Sequence, residues 1–436
     1  MSDGIMNINR VAITAVGMVS PLGMDVETNW QGLKASRSGI GFHPRDGIPS
    51  TYQYQGLVDD PCDVPDDVSR QLTSQIRFLN RGSLLGLAAA RQAFISSGLS
   101  EDQVPPGRRS LYVGAGDFTS VGYEFMYPAM KVAADEQWQQ VDQAVLNQAA
   151  VDLVNPFFLL ESLNNNLFSF LSAYLQFMGS GTAMSAQSPA GSNAVELAYR
   201  SIKQGRADIA MAVGCGNWNT DVPIYEMRGL GLLSQCRHGA DSYRPLSRGR
   251  DGFIPGEGGA ALLLENYDAA KARGAEILGL ISGVGNTLST EPEKGLGFSV
   301  DAYREAFNSA RGESGKTDSA LGFVIAHGSG TGKGDGTELE ALRELQQEGS
   351  VAFSATTALK AQTGHMAAAS DVAEIIFGLM ALRESMVPAT HNFRDPESGY
   401  TSLSISDAPQ PLTDPSFISL SIGVGGQISS VLVEAG

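Results

Sequence analysis

At 436 residues the chain is past the size at which one hydrophobic core stops growing, which predicts two domains or a fused double domain. A net charge of −17 excludes nucleic acid as a partner, because phosphate binding depends on clustered Lys and Arg. The sequence has no apolar run of membrane-spanning length, and Met1 to Arg10 lack the basic start and apolar stretch of a signal peptide, so a soluble cytoplasmic protein with no membrane contact is expected.

Short β-branched or apolar runs that end in glycine predict strands closed by tight turns. In chain order they are residues 10–17 (RVAITAVG), 111–116 (LYVGAG), 209–216 (IAMAVGCG), 260–265 (AALLLE), 278–285 (LGLISGVG), 322–328 (GFVIAHG) and 417–426 (FISLSIGVGG). Between them, residues 84–98, 191–205, 338–347 and 370–383 carry helical periodicity. The alternation predicts an α/β architecture.

Some pieces recur in the same order. Residues 11–17 are echoed by 280–285, the Ala-Gln-Ser turn and helix of 186–197 by the Ala-Gln-Thr segment of 361–375, and 209–216 by 418–425. A duplicated α/β unit with its joint near residues 265–274 accounts for this better than two unrelated domains. Residues 118–179 have no counterpart and are rich in aromatics, Met and Asn, which predicts an insertion serving as a cap or a subunit contact.

The chemistry-bearing residues cluster in three loops: 326–331 (AHGSGT), 360–365 (KAQTGH) and 423–426 (GVGG). His327 and His365 are two of only five histidines, and each sits among small residues that leave room for a ligand. A fourth segment, 186–191 (AQSPAG), places Ser188 at the turn into an Ala-rich helix. Each has an ordinary structural reading: Ser188 as a helix N-cap followed by proline at N1, Lys360 as a surface lysine, the histidines as packed turn residues. Cys62, Cys215 and Cys236 have no metal-ligand spacing and are too few for a disulfide framework.

Together with residues 11–23 (VAITAVGMVSPLG), Arg250-Asp251-Gly252-Phe253, Gly256-Glu257-Gly258-Gly259 and the run from His327 through Asp335 to Glu338, these segments resemble the β-ketoacyl synthases of the thiolase fold over nearly the whole chain. The resemblance implies a five-layered αβαβα architecture with two mixed five-stranded sheets. Residues 1–265 would form one half, with the insertion at about 118–179, and residues 266–436 the other.

In that family a cysteine at a strand-to-helix turn takes the growing acyl chain. Two histidines bind the malonyl thioester of an acyl carrier protein, and decarboxylation yields the carbon nucleophile. The resemblance sets Ser188 at the cysteine's position; a register one residue earlier sets Gln187 there and requires an insertion before the helix. It implies catalytic roles for Ser188, His327, His365 and Lys360, with Glu338 as the structural partner of Lys360. It also implies contacts from Thr331 and Ser329 to the carrier's phosphopantetheine arm, and substrate contact at Val424 and Gly425, the Val424 N–H facing an oxyanion. Where the family carries gating phenylalanines, this chain has Ile422, Val424, Gln427 and Ile428.

Condensation needs an acyl group held on a good nucleophile, whereas decarboxylation needs only the histidines and a place for the malonyl carboxylate. A serine at a helix N-terminus gains no anion comparable to a thiolate and requires a base. The resemblance thus narrows to the serine-bearing, non-elongating ketosynthases of polyketide β-branching, which convert malonyl to acetyl on a carrier protein. Ser188 there fills space and hydrogen-bonds beside the thioester. Two other readings stand: a ketosynthase-fold acyltransferase acylated at Ser188, and a silent chain-length-factor-like partner, against which the retained His327, Lys360 and His365 count. The implied partners are an acyl carrier protein and a second subunit, identical or another ketosynthase, paired near Ser185. No cofactor of its own is implied, since the substrate arrives on the phosphopantetheine arm.

Overall fold

A computed structural model describes residues 9–45, 48–59, 65–100, 103–115, 125–161, 163, 165–186, 188–289, 297–316, 320–347 and 351–436. Ten strands organise it: β1 Val11–Val19, β2 Arg109–Ala115, β3 Gly181–Ser185, β4 Ile209–Asn217, β5 Glu257–Asn266, β6 Gly279–Leu288, β7 Leu321–Ile325, β8 Phe353–Thr357, β9 Ser416–Ile422 and β10 Gln427–Glu434. Their order, β3-β2-β4-β5-β1 followed by β6-β10-β9-β7-β8, is the same five-strand pattern written twice. The second half is in mirror order along the sheet: in each half the three strands at the outer edge run parallel, and the two nearest the junction pair antiparallel.

The sheets are not separate, because β1 and β6 pair at Val11–Ile281, Ala12–Leu280 and Ile13–Gly279. Only three pairs form, and beyond them the sheets splay around two central helices, α1 Ala190–Lys203 and α2 Ala368–Glu384. Both helices pack on strands from the two halves. Residues 368–382 of α2 are all buried, and the run is apolar apart from Ser370, Asp371 and Glu374. Outer helices complete five layers: Arg81–Ser96 covers the first sheet and Val300–Ser314 the second.

The sequence echoes occupy equivalent places: β1 answers β6, β4 answers β9, and α1 answers α2. Three strands had no clear signal. β3 is short and polar, β8 reads FSATT, and β10 follows directly on the 417–426 run, whose glycines form the hairpin turn joining β9 to β10. The helix predicted from residue 338 begins earlier, at Gly332 (Gly332–Gln347), because its first turn carries glycines that hide the periodicity. Among the described residues, no helix is long and apolar enough to cross a membrane.

The N-termini of the central helices meet at Gly191. A Cβ there would lie 2.1 Å from the Ala368 carbonyl oxygen, so only glycine lets α1 and α2 approach this closely. That contact positions the functional site.

Candidate active site

His327 follows β7, in a loop whose shape is set by two acids of the next helix, Gly332–Gln347. Glu338 accepts the His327 N–H at 2.7 Å and the Gly328 N–H at 2.9 Å. Asp335 accepts the Gly330 N–H and the Ser329 hydroxyl, both at 2.9 Å, and the Leu246 N–H at 2.7 Å. Buried backbone donors need partners, and these carboxylates supply them. Burial and the neighbouring Asp335 push Glu338 up to about 8, against the pull of its two N–H bonds.

With both oxygens so used, Glu338 is not the partner of Lys360. The Lys360 ammonium donates instead to Glu374 of α2 at 2.7 Å and to the His327 carbonyl at 2.8 Å. Both side chains are almost fully buried, at 1% and 2% exposure, and burial raises Glu374 while Lys360 pulls it back. The expected surface-lysine alternative fails for the same reason: Lys360 is inside the protein and reaches the loop of His327.

His365 lies 5.2 Å from His327 between ring centres and packs on Trp218 and Phe253 at 4.5 and 5.1 Å. The two imidazoles are held alike. The Ile422 N–H reaches His327 Nδ1 at 3.4 Å, and the Ala367 N–H reaches His365 Nδ1 at 3.2 Å. An Nδ1 that accepts leaves the hydrogen on Nε2. Ala367 adopts φ +53° and ψ −134°, a strained conformation for a residue with a Cβ, to present this N–H. Burial first, then the charge of Lys360, hold both histidines well below their ordinary value. The pair is thus neutral, with two Nε2–H donors.

It follows that neither imidazole protonates as pH falls through the ordinary histidine value. In nitrogen-15 spectra of histidine-labelled protein, both should remain Nε2–H tautomers down to about pH 5.5. Titration of either near the ordinary value would contradict this.

Ser188 is not an N-cap. Helix α1 begins two residues later, and the Ser188 hydroxyl crosses to α2, donating to Asp371 Oδ1 at 2.6 Å. Asp371 Oδ2 accepts the Gly191 N–H at 3.1 Å, satisfying one of the donors that a helix start leaves open. Burial raises Asp371 to about 6, despite its bonds to Ser188 and Gly191 and the charge of Lys360.

One pocket collects most of the expected residues: Ser188, His327, His365, Ser329, Thr331 and Val424 line it, with Trp218, Leu232, Phe253, Phe298 and Ile422 as apolar walls. Lys360 stands behind the histidines. Gly425 shares the turn of Val424 and is not part of the lining. That turn reaches Ser188 because Gly423 has no side chain; a Cβ there would sit 2.5 Å from the Ser188 carbonyl oxygen. The hydrogen of the Ser329 hydroxyl goes to Asp335, and its oxygen accepts from the Thr331 hydroxyl at 2.8 Å and the Thr331 N–H at 3.2 Å; Thr331 Oγ1 accepts the Gly334 N–H at 3.1 Å and keeps one lone pair for a ligand. Neither Cys215 nor Cys236 lines the pocket, and Cys62 and Gln187 fall outside the described residues.

Sequence reading missed Asp371, Glu374 and the aromatic walls. The acids had a signal: they stand one turn apart in an otherwise apolar helical run, and charges in such a run need buried partners.

The chain is 29% identical over 404 residues to 3-oxoacyl-[acyl-carrier-protein] synthase 2 of Vibrio cholerae serotype O1, covering 90% of this chain and 91% of that protein. It is 27% identical over 435 residues to the protein of the same name from Staphylococcus aureus strain COL, covering 97% of each. Its fold matches that of a type II polyketide synthase acyl-carrier protein complex with its ketosynthase at TM-score 0.84 and 22% identity, over 99% of this chain and 100% of that one. The ishigamide ketosynthase/chain length factor matches at 0.81 and 22%, over 98% and 99%. Residues 8–270 match the β-ketoacyl synthase N-terminal domain and residues 278–394 its C-terminal domain. The Ser188 turn lies within the first stretch and the loops of His327, Lys360 and His365 within the second, and the chain belongs to the β-ketoacyl synthase family.

Proposed function

We propose that this ketosynthase decarboxylates malonyl on an acyl carrier protein to acetyl, without elongating a chain, as a step of polyketide β-branching. The observation that carries the reading is the pair of neutral imidazoles, both Nε2–H, in a pocket whose lining among the described residues includes Ser188 and neither Cys215 nor Cys236. Decarboxylation of a malonyl thioester places negative charge on the thioester oxygen. Two fixed N–H donors in a buried, aromatic-walled site stabilise that charge with little reorganisation. Burial, helped by the charge of Lys360, keeps the imidazoles neutral, and Glu374 balances Lys360. Thr331, held by Ser329 and with one acceptor position left, suits an amide N–H of a phosphopantetheine arm.

The relatives named 3-oxoacyl-[acyl-carrier-protein] synthase support a carrier-bound substrate. A dimer fits the free edge of the sheet: β3 pairs on one side only, with β2, and the residues before it expose Trp138, Val151, Phe157 and Met178. A second subunit adding to β3 would cover an otherwise open edge.

The test is mass spectrometry of a malonyl-loaded acyl carrier protein after incubation with the chain and with His327→Ala. Conversion to acetyl-carrier by the wild type alone is expected. Unchanged malonyl-carrier would sink the reading in favour of a silent partner subunit. Acyl mass retained on Ser188 would favour a transferase instead.

A further inference from the structure

Decarboxylation alone does not make acetyl. Loss of carbon dioxide leaves an enolate, and in a pocket with no waiting acyl group its carbon must receive a proton. The imidazole Nε2–H groups serve the enolate oxygen and, being neutral, are weak acids. The hydroxyl hydrogens of Ser329 and Thr331 are used inside their own loop. Asp335, behind Ser329, is fixed as an acceptor by two backbone N–H groups, one on each oxygen.

Ser188 is placed differently. It lines the pocket with the two histidines, and its Oγ lies 2.6 Å from Asp371 Oδ1, the length of a strong hydrogen bond that links the two oxygens directly. Asp371 is fully buried. Its other oxygen is engaged by the Gly191 N–H, so Oδ1 is the edge that faces Ser188. The charged and titratable groups acting on Asp371 are Lys360, from the loop before α2, and Glu374, one turn on along α2, which pair with each other. Burial lifts the Asp371 carboxyl to about 6, and an incoming malonyl carboxylate adds negative charge to the same pocket and raises it toward the protonated form that the relay uses.

We propose that Asp371 and Ser188 form a proton relay that quenches the enolate. The inference rests on the decarboxylase reading and deepens it. The bond between the methylene carbon and the carboxylate breaks, its electron pair enters the enolate, and carbon dioxide leaves. With Asp371 protonated, its Oδ1–H donates to Ser188 Oγ, reversing the bond that Ser188 makes to the carboxylate and freeing the Ser188 hydrogen for the pocket. The methylene carbon takes that hydrogen, Ser188 takes the proton of Asp371, and the Asp371 carboxylate is reprotonated from water after product departs. One malonyl thioester and one proton become one acetyl thioester and one carbon dioxide. Asp371 and Ser188 are catalytic residues here because both handle the transferred proton.

The relay makes a prediction that a structural role does not. An enolate denied its proton recaptures carbon dioxide, so removing the relay lowers acetyl formation and opens exchange of labelled carbon into unreacted substrate. Malonyl-N-acetylcysteamine is incubated with the wild type, Asp371→Asn, Ser188→Ala and His327→Ala in carbon-13 bicarbonate, with melting temperatures taken in parallel. The expected result is acetyl without label in residual malonyl for the wild type. In Asp371→Asn and Ser188→Ala, acetyl formation falls about 100-fold or more, the scale of a lost general acid, and residual malonyl gains label. His327→Ala loses both processes. Acetyl formation undiminished in both relay variants, slow formation without label in folded variants, or acyl mass on Ser188 would each overturn the relay while leaving the pocket a thioester site. An inert wild type would overturn the decarboxylase reading and the relay with it.

Discussion

Alanine at His327 or at His365 is expected to lower kcat for malonyl decarboxylation about 100- to 1,000-fold, equivalent to about 3–4 kcal/mol of transition-state stabilisation. Each imidazole supplies one Nε2–H, oriented by a backbone N–H on its Nδ1. Because the charge they meet develops on the thioester oxygen during reaction, KM should change far less than kcat. Asparagine at His327 keeps an N–H donor and should recover part of the loss. The double alanine variant should cost less than the product of the single losses, since both donors serve one oxygen. Steady-state kinetics on malonyl-loaded carrier, with melting curves to confirm folding, checks all four variants; equal loss for asparagine and alanine would argue against hydrogen-bond donation. Melting data matter most for His365, whose ring packs against both Trp218 and Phe253.

Lys360→Met is expected to destabilise the protein by roughly 3–5 kcal/mol, the cost of stripping one member from a buried ion pair. Glu374 would remain without its cation, and one of its oxygens has no hydrogen-bond partner even in the wild type. The His327 carbonyl would lose a donor as well. The defect should depend on pH. Burial already lifts Glu374 from 4.5 to about 7, and removing Lys360 lifts it further. A carboxyl whose folded pKa exceeds its unfolded one makes the folded state bind more protons between the two values, so stability is retained below the unfolded pKa and lost as pH rises through the folded one. Denaturant titrations should therefore show a smaller loss at about pH 6 than at about pH 8. Adding Glu374→Met to Lys360→Met should restore much of the stability, because apolar replacement of both partners is often neutral. Activity should not return with it, since the charge that helps keep His327 and His365 neutral is gone. A double variant that regained both would reduce Lys360 to a packing residue.

Much of the fold was legible because its strands are buried on both faces and read as continuous apolar runs closed by glycine. β3 escaped notice for the opposite reason: it is largely exposed at the sheet edge, and its Gly-Thr-Ala-Met-Ser composition carries neither alternation nor an apolar run. The candidate site was legible as loops. His327, Ser329 and Thr331 share one loop, Lys360 and His365 another, and each contains glycines at positive φ, Gly328, Gly330 and Gly364, that mark it as a tight turn.

The sequence by itself determined the candidate site residues and their order along the chain, since motif spacing reports local turns and helix starts that form from neighbouring residues. Only the tertiary structure decided which group each of them faces. Glu338 is near His327 in sequence and spends its oxygens on that loop, which leaves Lys360 to Glu374 on α2. Ser188, which local rules make a helix cap, meets Asp371 across 183 residues because Gly191 lets the starts of α1 and α2 touch. Partner choice among buried charges is settled by which of them lose water together, and that depends on how distant helices pack.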